Sequence, residues 1–253
     1  MKKNNSNLTY CEILKTNINV TNMADTVQYL TWNLENLRGK YICVSNVHTV
    51  VMSYEDEAYR KIQNSAVMVL PDGKPLSVVS RLRGFKEAQK VSGPDLMPEM
   101  FQLSEEKGYT HYFYGSTEET LDKLREALLI RYPKLKIVGM YSPPFRLLTK
   151  EEDDKIIHQI NEVSPDFIWV GLGAPKQEQW MYAHRDKLCG VMLGVGAGFD
   201  FHAGTVKRAP VWMQKSGLEW LHRLFQDPKR LFKRYVVTNT RFMWLILTGG
   251  DKR

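Results

Sequence analysis

A chain of 253 residues with 43% hydrophobic and 25% charged residues can bury a full core, and its composition is neither disordered nor fibrous. Its three cysteines, Cys11, Cys43 and Cys189, are odd in number and widely spaced, which argues against a disulfide framework or a zinc site and for a reducing cytoplasm. The net charge of +7 is concentrated at one end: Thr205 to Arg253 holds 11 Lys/Arg and 3 Asp/Glu while the other 204 residues hold 24 and 25, so a phosphate-rich or membrane-surface partner is expected there.

Met1-Lys-Lys-Asn-Asn-Ser6 leads into mixed polar sequence without an apolar signal-peptide region. No stretch approaches the ~20 apolar residues needed to span a bilayer. Residues Tyr10 to Val20 alternate as an opening strand or hairpin, and Met23 to Leu37 carries helical spacing with Asp25 in its first turn. Tyr41 to Val44 reads as a buried strand, with Ser45 or Asn46 capping a helix that runs through Tyr59 to Ile62. A second buried strand, Ala66 to Leu70, meets the turn Pro71-Asp-Gly-Lys-Pro75 and a helix from Leu76 to Arg83. Ser92-Gly-Pro-Asp95 then starts another helix.

From there strands and helices alternate: strand His111 to Tyr114, turn Gly115-Ser116, helix Thr117 to Arg131, strand Lys136 to Met140, helix Lys150 to Val163, strand Asp166 to Val170 and, after a further turn and helix, strand Gly190 to Val195. Such alternation implies parallel crossovers, an α/β fold with a Rossmann-like, mostly parallel sheet and helices on both faces. After Gly204 come short helices, an Asp227-Pro228 break, and a basic, aromatic stretch to Leu247. The expected division is a core over 1–204 and a basic helical appendage over 205–253.

Four strand ends carry polar, turn-forming residues: Asn46, Asp72, Gly115-Ser116, and Gly171 to Gln177. In parallel sheets such ends form the ligand-binding rim. Gly171 and Gly173 let the backbone turn and approach a ligand, and Pro175 suits a first helical turn because it has no N–H to lose. The helix start after it favours an anion, with Lys176 and Gln177 beside the guest. Asp72, in a turn after an apolar strand, is the candidate general base; the alternative is an Asp that caps the helix starting at Lys74. A second glycine-rich segment, Gly194 to Gly204, adds Phe199, Asp200 and a His202 expected to be structural. No Asp-x-Asp pair offers to hold a divalent cation, and the acidic run Glu151 to Asp154 is expected to complement a helix dipole. Charge on a leaving diphosphate then needs cationic side chains. Arg223, Arg230, Lys233 and Arg234 are spaced to share one side of a largely helical segment, interleaved with Trp220, Leu224, Leu231, Phe232 and Tyr235. That face suits anionic headgroups or phosphate; the alternative is a solvated basic face on a core-packed helix.

Ser45-Asn-Val-His48, Val69-Leu-Pro-Asp-Gly73, Ser92-Gly-Pro-Asp-Leu96, Tyr114-Gly-Ser116, Val170-Gly-Leu-Gly-Ala-Pro-Lys-Gln-Glu178 and Gly194 to Gly204, with the tail from Leu218 to Tyr235, together resemble the WecG/TagA/CpsF family of bacterial glycosyltransferases over nearly the whole chain. The resemblance implies metal-independent transfer without a cofactor, from a UDP-sugar, typically UDP-N-acetylmannosamine or its uronate. The implied acceptor is a polyprenyl-diphosphate-linked sugar at the cytoplasmic membrane face, in polysaccharide or teichoic acid synthesis. It places Asp72 on the family's proposed base and Gln177 on its active-site glutamine. It also places Arg223, Arg230, Lys233 and Arg234 on an appendage that closes over the site and touches an anionic membrane. Two residues depart from the pattern: Val44 stands where some members have Thr, and Lys233 where Arg is more usual. A non-enzymatic adaptor using the basic tail on membrane or nucleic acid remains an alternative to the enzyme, which needs no nucleic acid; a nicotinamide oxidoreductase is disfavoured by the missing GxGxxG.

Overall fold

In the computed structural model, which describes residues 8–249 apart from the side chains of Lys215, Arg230 and Arg234, the short apolar runs become strands and the periodic stretches between them helices. The opening hairpin pairs β1 (Tyr10–Ile13) antiparallel to β2 (Thr16–Asn19). Its two-residue turn, Leu14-Lys15, has both residues at positive φ, the geometry that matches the twist of the flanking strands. The helix expected over 23–37 is two, α1 (Met23–Trp32) and α2 (Leu34–Leu37), because the Asn33 side chain donates to the Tyr29 carbonyl and interrupts the helix there. After the fully buried β3 (Tyr41–Ser45), the next expected helix is also two, α3 (Val47–Glu55) and α4 (Glu57–Asn64). Asp56 separates them, accepting from the Ala58 and Tyr59 N–H groups as the N-cap of α4.

The chain continues through β4 (Met68–Pro71), α5 (Lys74–Leu82), α6 (Gly93–Lys107), β5 (Thr110–Gly115), α7 (Glu118–Arg131), β6 (Lys136–Tyr141), α8 (Lys150–Glu162), β7 (Phe167–Gly171), α9 (Lys176–His184), β8 (Val191–Gly194) and α10 (Gly198–His202). It ends in α11 (Val211–Ser216), α12 (Glu219–Gln226) and α13 (Pro228–Leu247). Six strands form one parallel sheet in the order β4-β3-β8-β7-β5-β6, so the α/β class read from the alternation holds. The acidic run on α8 does lie in its first turn, where Thr149 and Glu152 complete a capping box.

Two compact units divide the chain. The first joins residues 1–23, 44–91 and 208–253; the second joins 24–43 and 92–207. Within the second, β7 aligns Phe167 to Gly171 with His111 to Gly115 of β5 and Phe167 to Val170 with Val191 to Gly194 of β8. Strands β7 and β8 are apolar end to end, as strands buried on both faces must be, and Phe101, Phe113, Phe167 and Trp169 fill the core there. Arg38 and Thr110 converge on Asp166 just before β7. In the first unit, the hairpin packs on β4 and α5, with the Asn19 side chain accepting from the Val69 N–H.

His111 is a buried exception within the second unit. Its Nδ1 accepts the Trp169 indole N–H at 3.0 Å, so the ring is the neutral Nε2–H tautomer, and burial pushes its pKa from 6.5 down to about 3. An unfolded chain takes up this proton near 6.5 while the native one resists, so stability is intact above that pH and falls as pH drops toward 3, by about 1.4 kcal/mol per pH unit. The variant His111→Gln keeps an acceptor for Trp169 but has nothing to titrate. Urea unfolding between about pH 6 and pH 4 should show a slope smaller by one proton than in the parent; equal slopes would place the acid sensitivity elsewhere.

Candidate active site

In the second unit, the candidate residues lie on the segments that follow three adjacent strands, β8, β7 and β5. The β7 run ends at Gly171, where an added Cβ would stand 2.6 Å from the Phe199 ring. Phe199 is itself buried against Phe113, so it supports Gly171 from within the core rather than facing a ligand. Gly173 turns the chain at φ +74 and has open space where a side chain would be. Pro175 occupies the N-cap of α9, one position before the first helical turn expected for it. The Gln177 N–H is spent on the Gly173 carbonyl at 3.0 Å, and Lys176 stands exposed at the helix start. Gly115 pairs in register with Gly171, close enough that a Cβ would meet the Gly171 carbonyl at 2.7 Å, and the Ser116 N–H donates to that carbonyl. These two strand ends therefore lie against each other by way of backbone alone.

Gln177 is buried, and its amide joins the turn after β7 to the turn after β8. Oε1 accepts the Gly196 N–H at 3.0 Å, while Nε2 donates to Glu178 Oε1 at 2.7 Å. Helix α9 is aligned from its other side by a column of rings: Tyr114 on Trp180 at 4.1 Å and Trp180 on His184 at 4.2 Å. His184 is anchored by Asp153 at 2.9 Å and by the Trp180 carbonyl. Burial, and next the Glu178 charge, push the Cys43 thiol well above its ordinary range, so it stays a neutral core group. Asp200 lies on α10, where its carbonyl accepts from Thr205 and Val206. His202 donates through Nε2 to the Pro94 carbonyl, the structural role expected of it.

In the first unit, the end of β3 and the turn after β4 are tied directly: the Asp72 N–H donates to the Ser45 carbonyl at 2.7 Å. Asn46 caps α3, its side-chain oxygen accepting from the His48 and Thr49 N–H groups while Thr49 answers with a reciprocal bond. That oxygen is committed, so a ligand contact by Asn46 falls to its amide nitrogen. Asp72 is half-buried, and the N-cap position of α5 belongs to Gly73, at φ +89. The helix-cap role is thus taken by its neighbour.

The tail of the same unit packs beside this turn. Gly217, between α11 and α12, lies against the Lys74 side chain, where a Cβ would come within 2.9 Å. Glu219 joins Lys90 at 3.1 Å and Arg208 at 3.2 Å. Helix α13 lies on α3, with Thr238 and His48 3.5 Å apart and Arg241 paired to Glu55. Arg223 and Lys233 do not share one helix: the chain leaves α12 at Asp227 and restarts as α13, because Pro228 cannot continue the earlier helix. The Arg230 and Arg234 side chains lie outside the described residues. Sequence reasoning passed over Lys90, Arg208, Glu219 and Glu178. Only Glu178, adjoining Gln177, carried a local signal; the others are joined by contacts up to 129 residues apart.

Among the described residues no helix is long and apolar enough to cross a membrane, and no three His, Cys, Asp or Glu side chains gather as a metal site. Residues 11–252 match the model of a protein family described as the glycosyl transferase WecG/TagA/CpsF family. The chain is 28% identical over 212 residues to the N-acetylglucosaminyldiphosphoundecaprenol N-acetyl-beta-D-mannosaminyltransferase of Bacillus subtilis (strain 168), covering 83% of this chain and 81% of that one. It is also 28% identical over 229 residues to a protein of the same name from Staphylococcus aureus (strain MW2), covering 89% and 88%.

Proposed function

The chain belongs to the glycosyl transferase WecG/TagA/CpsF family and is a glycosyltransferase, and from that premise we propose that it carries N-acetylmannosamine, or the uronate of that sugar, from a UDP-sugar to a polyprenyl-diphosphate-linked saccharide. The product belongs to cell-surface polysaccharide or teichoic acid synthesis, and the work is done on the inner face of the plasma membrane. The run from Gly171 to Glu178 carries this reading: an apolar strand turns through an open Gly173 into a helix start that bears an exposed Lys176. A diphosphate suits that turn, because helix N-termini and ammonium groups both favour anions.

In this mechanism Asp72 takes the proton from the acceptor hydroxyl as its oxygen attacks the anomeric carbon. The bond from that carbon to the UDP oxygen breaks on the opposite face, so the centre inverts in one displacement. The departing negative charge is received by Lys176 and by tail cations, Arg223, Arg230, Lys233 and Arg234, in place of a metal ion. Gly115, Ser116, Gly171, Gly173 and Pro175 shape the donor site by backbone, and Asn46 and Asp200 contact sugar or acceptor. Residues 1–204 act as the transferase core and 205–253 as its membrane-associating appendage.

A thermal-shift screen in EDTA tests the donor. Binding to the native state alone at about 100 Kd adds roughly 2.7 kcal/mol, a rise of roughly 5–10 °C in Tm for a chain of this size. UDP and UDP-N-acetylhexosamines should produce it, and ADP- and GDP-sugars should not. A flat response to every uridine nucleotide would remove the donor assignment.

A further inference from the structure

Gln177 presents two chemically opposite ends on a nearly symmetrical amide, and the order in which they face their neighbours decides whether two turns are joined. The Gly196 N–H is only a donor, so it requires the carbonyl end. A rotated amide would set two donors against each other. Glu178 prevents this, because its Oε1 accepts from the NH2 end at 2.7 Å and so claims it.

We propose that Glu178 is a positioning residue: it fixes the Gln177 amide so that Oε1 holds the Gly196 N–H, locking the turn after β8 to the turn after β7. Three independent features support it. Glu178 is fully buried, a costly place for a carboxylate that does nothing specific. Gly194 leaves the slot in which the amide lies, since a Cβ there would stand 3.1 Å from Gln177 Nε2. Glu178 and Gln177 sit in the first turn of α9, whose other side is held by the Tyr114, Trp180 and His184 column, so the carboxylate is delivered from a fixed helix. The kinetic consequence rests on the glycosyltransferase reading: the β7 turn receives the leaving diphosphate, and loosening it costs more in the transition state than in donor binding.

The test uses the full chain labelled with 15N-glycine, as the parent and as Glu178→Met and Glu178→Gln. In Glu178→Met the Gly196 amide should exchange with solvent roughly tenfold faster, the factor of about one hydrogen bond, while Gly108 and Gly139 keep their rates. Glu178→Gln, which can present either end to Gln177, should be intermediate, and it carries the test alone if the Met variant does not fold. In turnover with lipid-linked acceptor, kcat should fall by about tenfold in Glu178→Met with donor KM within about threefold. Unchanged Gly196 exchange in a folded variant, or a loss that spreads equally to Gly108 and Gly139, overturns the proposal. If the parent itself transfers no sugar, the substrate reading fails, and the Gly196 exchange still decides the role of Glu178.

Discussion

Asp72→Asn is expected to lower kcat on a lipid-linked acceptor by about three orders of magnitude, within the range that a positioned general base contributes, while the thermal shift given by UDP is unchanged. The substitution keeps the shape of the side chain and removes its charge together with its capacity to take a proton. The turn is held by a backbone bond from the Asp72 N–H to the Ser45 carbonyl, and α5 is capped at Gly73. The Val91 N–H fixes the preceding Pro71 carbonyl at 2.9 Å, which holds the strand end from its other side. A folded Asn variant that turns over within about tenfold of the parent would take Asp72 out of the base role. A loss of the UDP shift along with activity would instead make Asp72 a donor contact.

The residues that make this experiment readable differ in how far they were visible in the sequence. Strand ends were legible because apolar runs such as Met68 to Leu70 and Phe167 to Val170 stop at Pro or Gly, and turns follow from those types. Helix breaks at Asn33 and Asp56 were not, since the apolar period runs through both and only a local side-chain bond to the backbone decides the matter. Gln177 was legible as a polar residue at a helix start, but its engagement with Gly196 depends on two strands lying side by side. The largest gap concerns the tail. Its charge was plain in the sequence, whereas its packing on α3 joins residues about as far apart as His48 and Thr238, which no periodicity encodes.

That packing divides α13 into two apolar faces and leads to the other large expected effect. Leu231, Thr238, Phe242 and Leu245 recur at helical spacing and are buried, satisfying the need of one face for a core. Phe232, Val236, Val237, Met243, Trp244 and Leu247 lie on the outside, with Phe232 60% and Leu247 77% exposed, and Phe225 on α12 and Trp212 on α11 are exposed as well. Large side chains gain nothing in water, and the exposed Lys233 gives the same face a positive charge. An anionic bilayer surface satisfies both demands. At about 1 kcal/mol for each partly buried side chain, Phe225→Ser, Phe232→Ser and Val237→Ser combined should weaken binding to vesicles containing about one third phosphatidylglycerol by roughly 100-fold. Folding should be unaffected, because none of the three is in the core. Lys233→Gln should cost about fivefold at low salt and less as salt rises, since a single charge near such a surface is worth about 1 kcal/mol and is screened. Activity on a lipid-linked acceptor should fall with vesicle binding in the triple variant, while UDP still raises its Tm. Undiminished vesicle binding by that variant would return the outer face to solvent and leave the basic tail with phosphate alone as its partner.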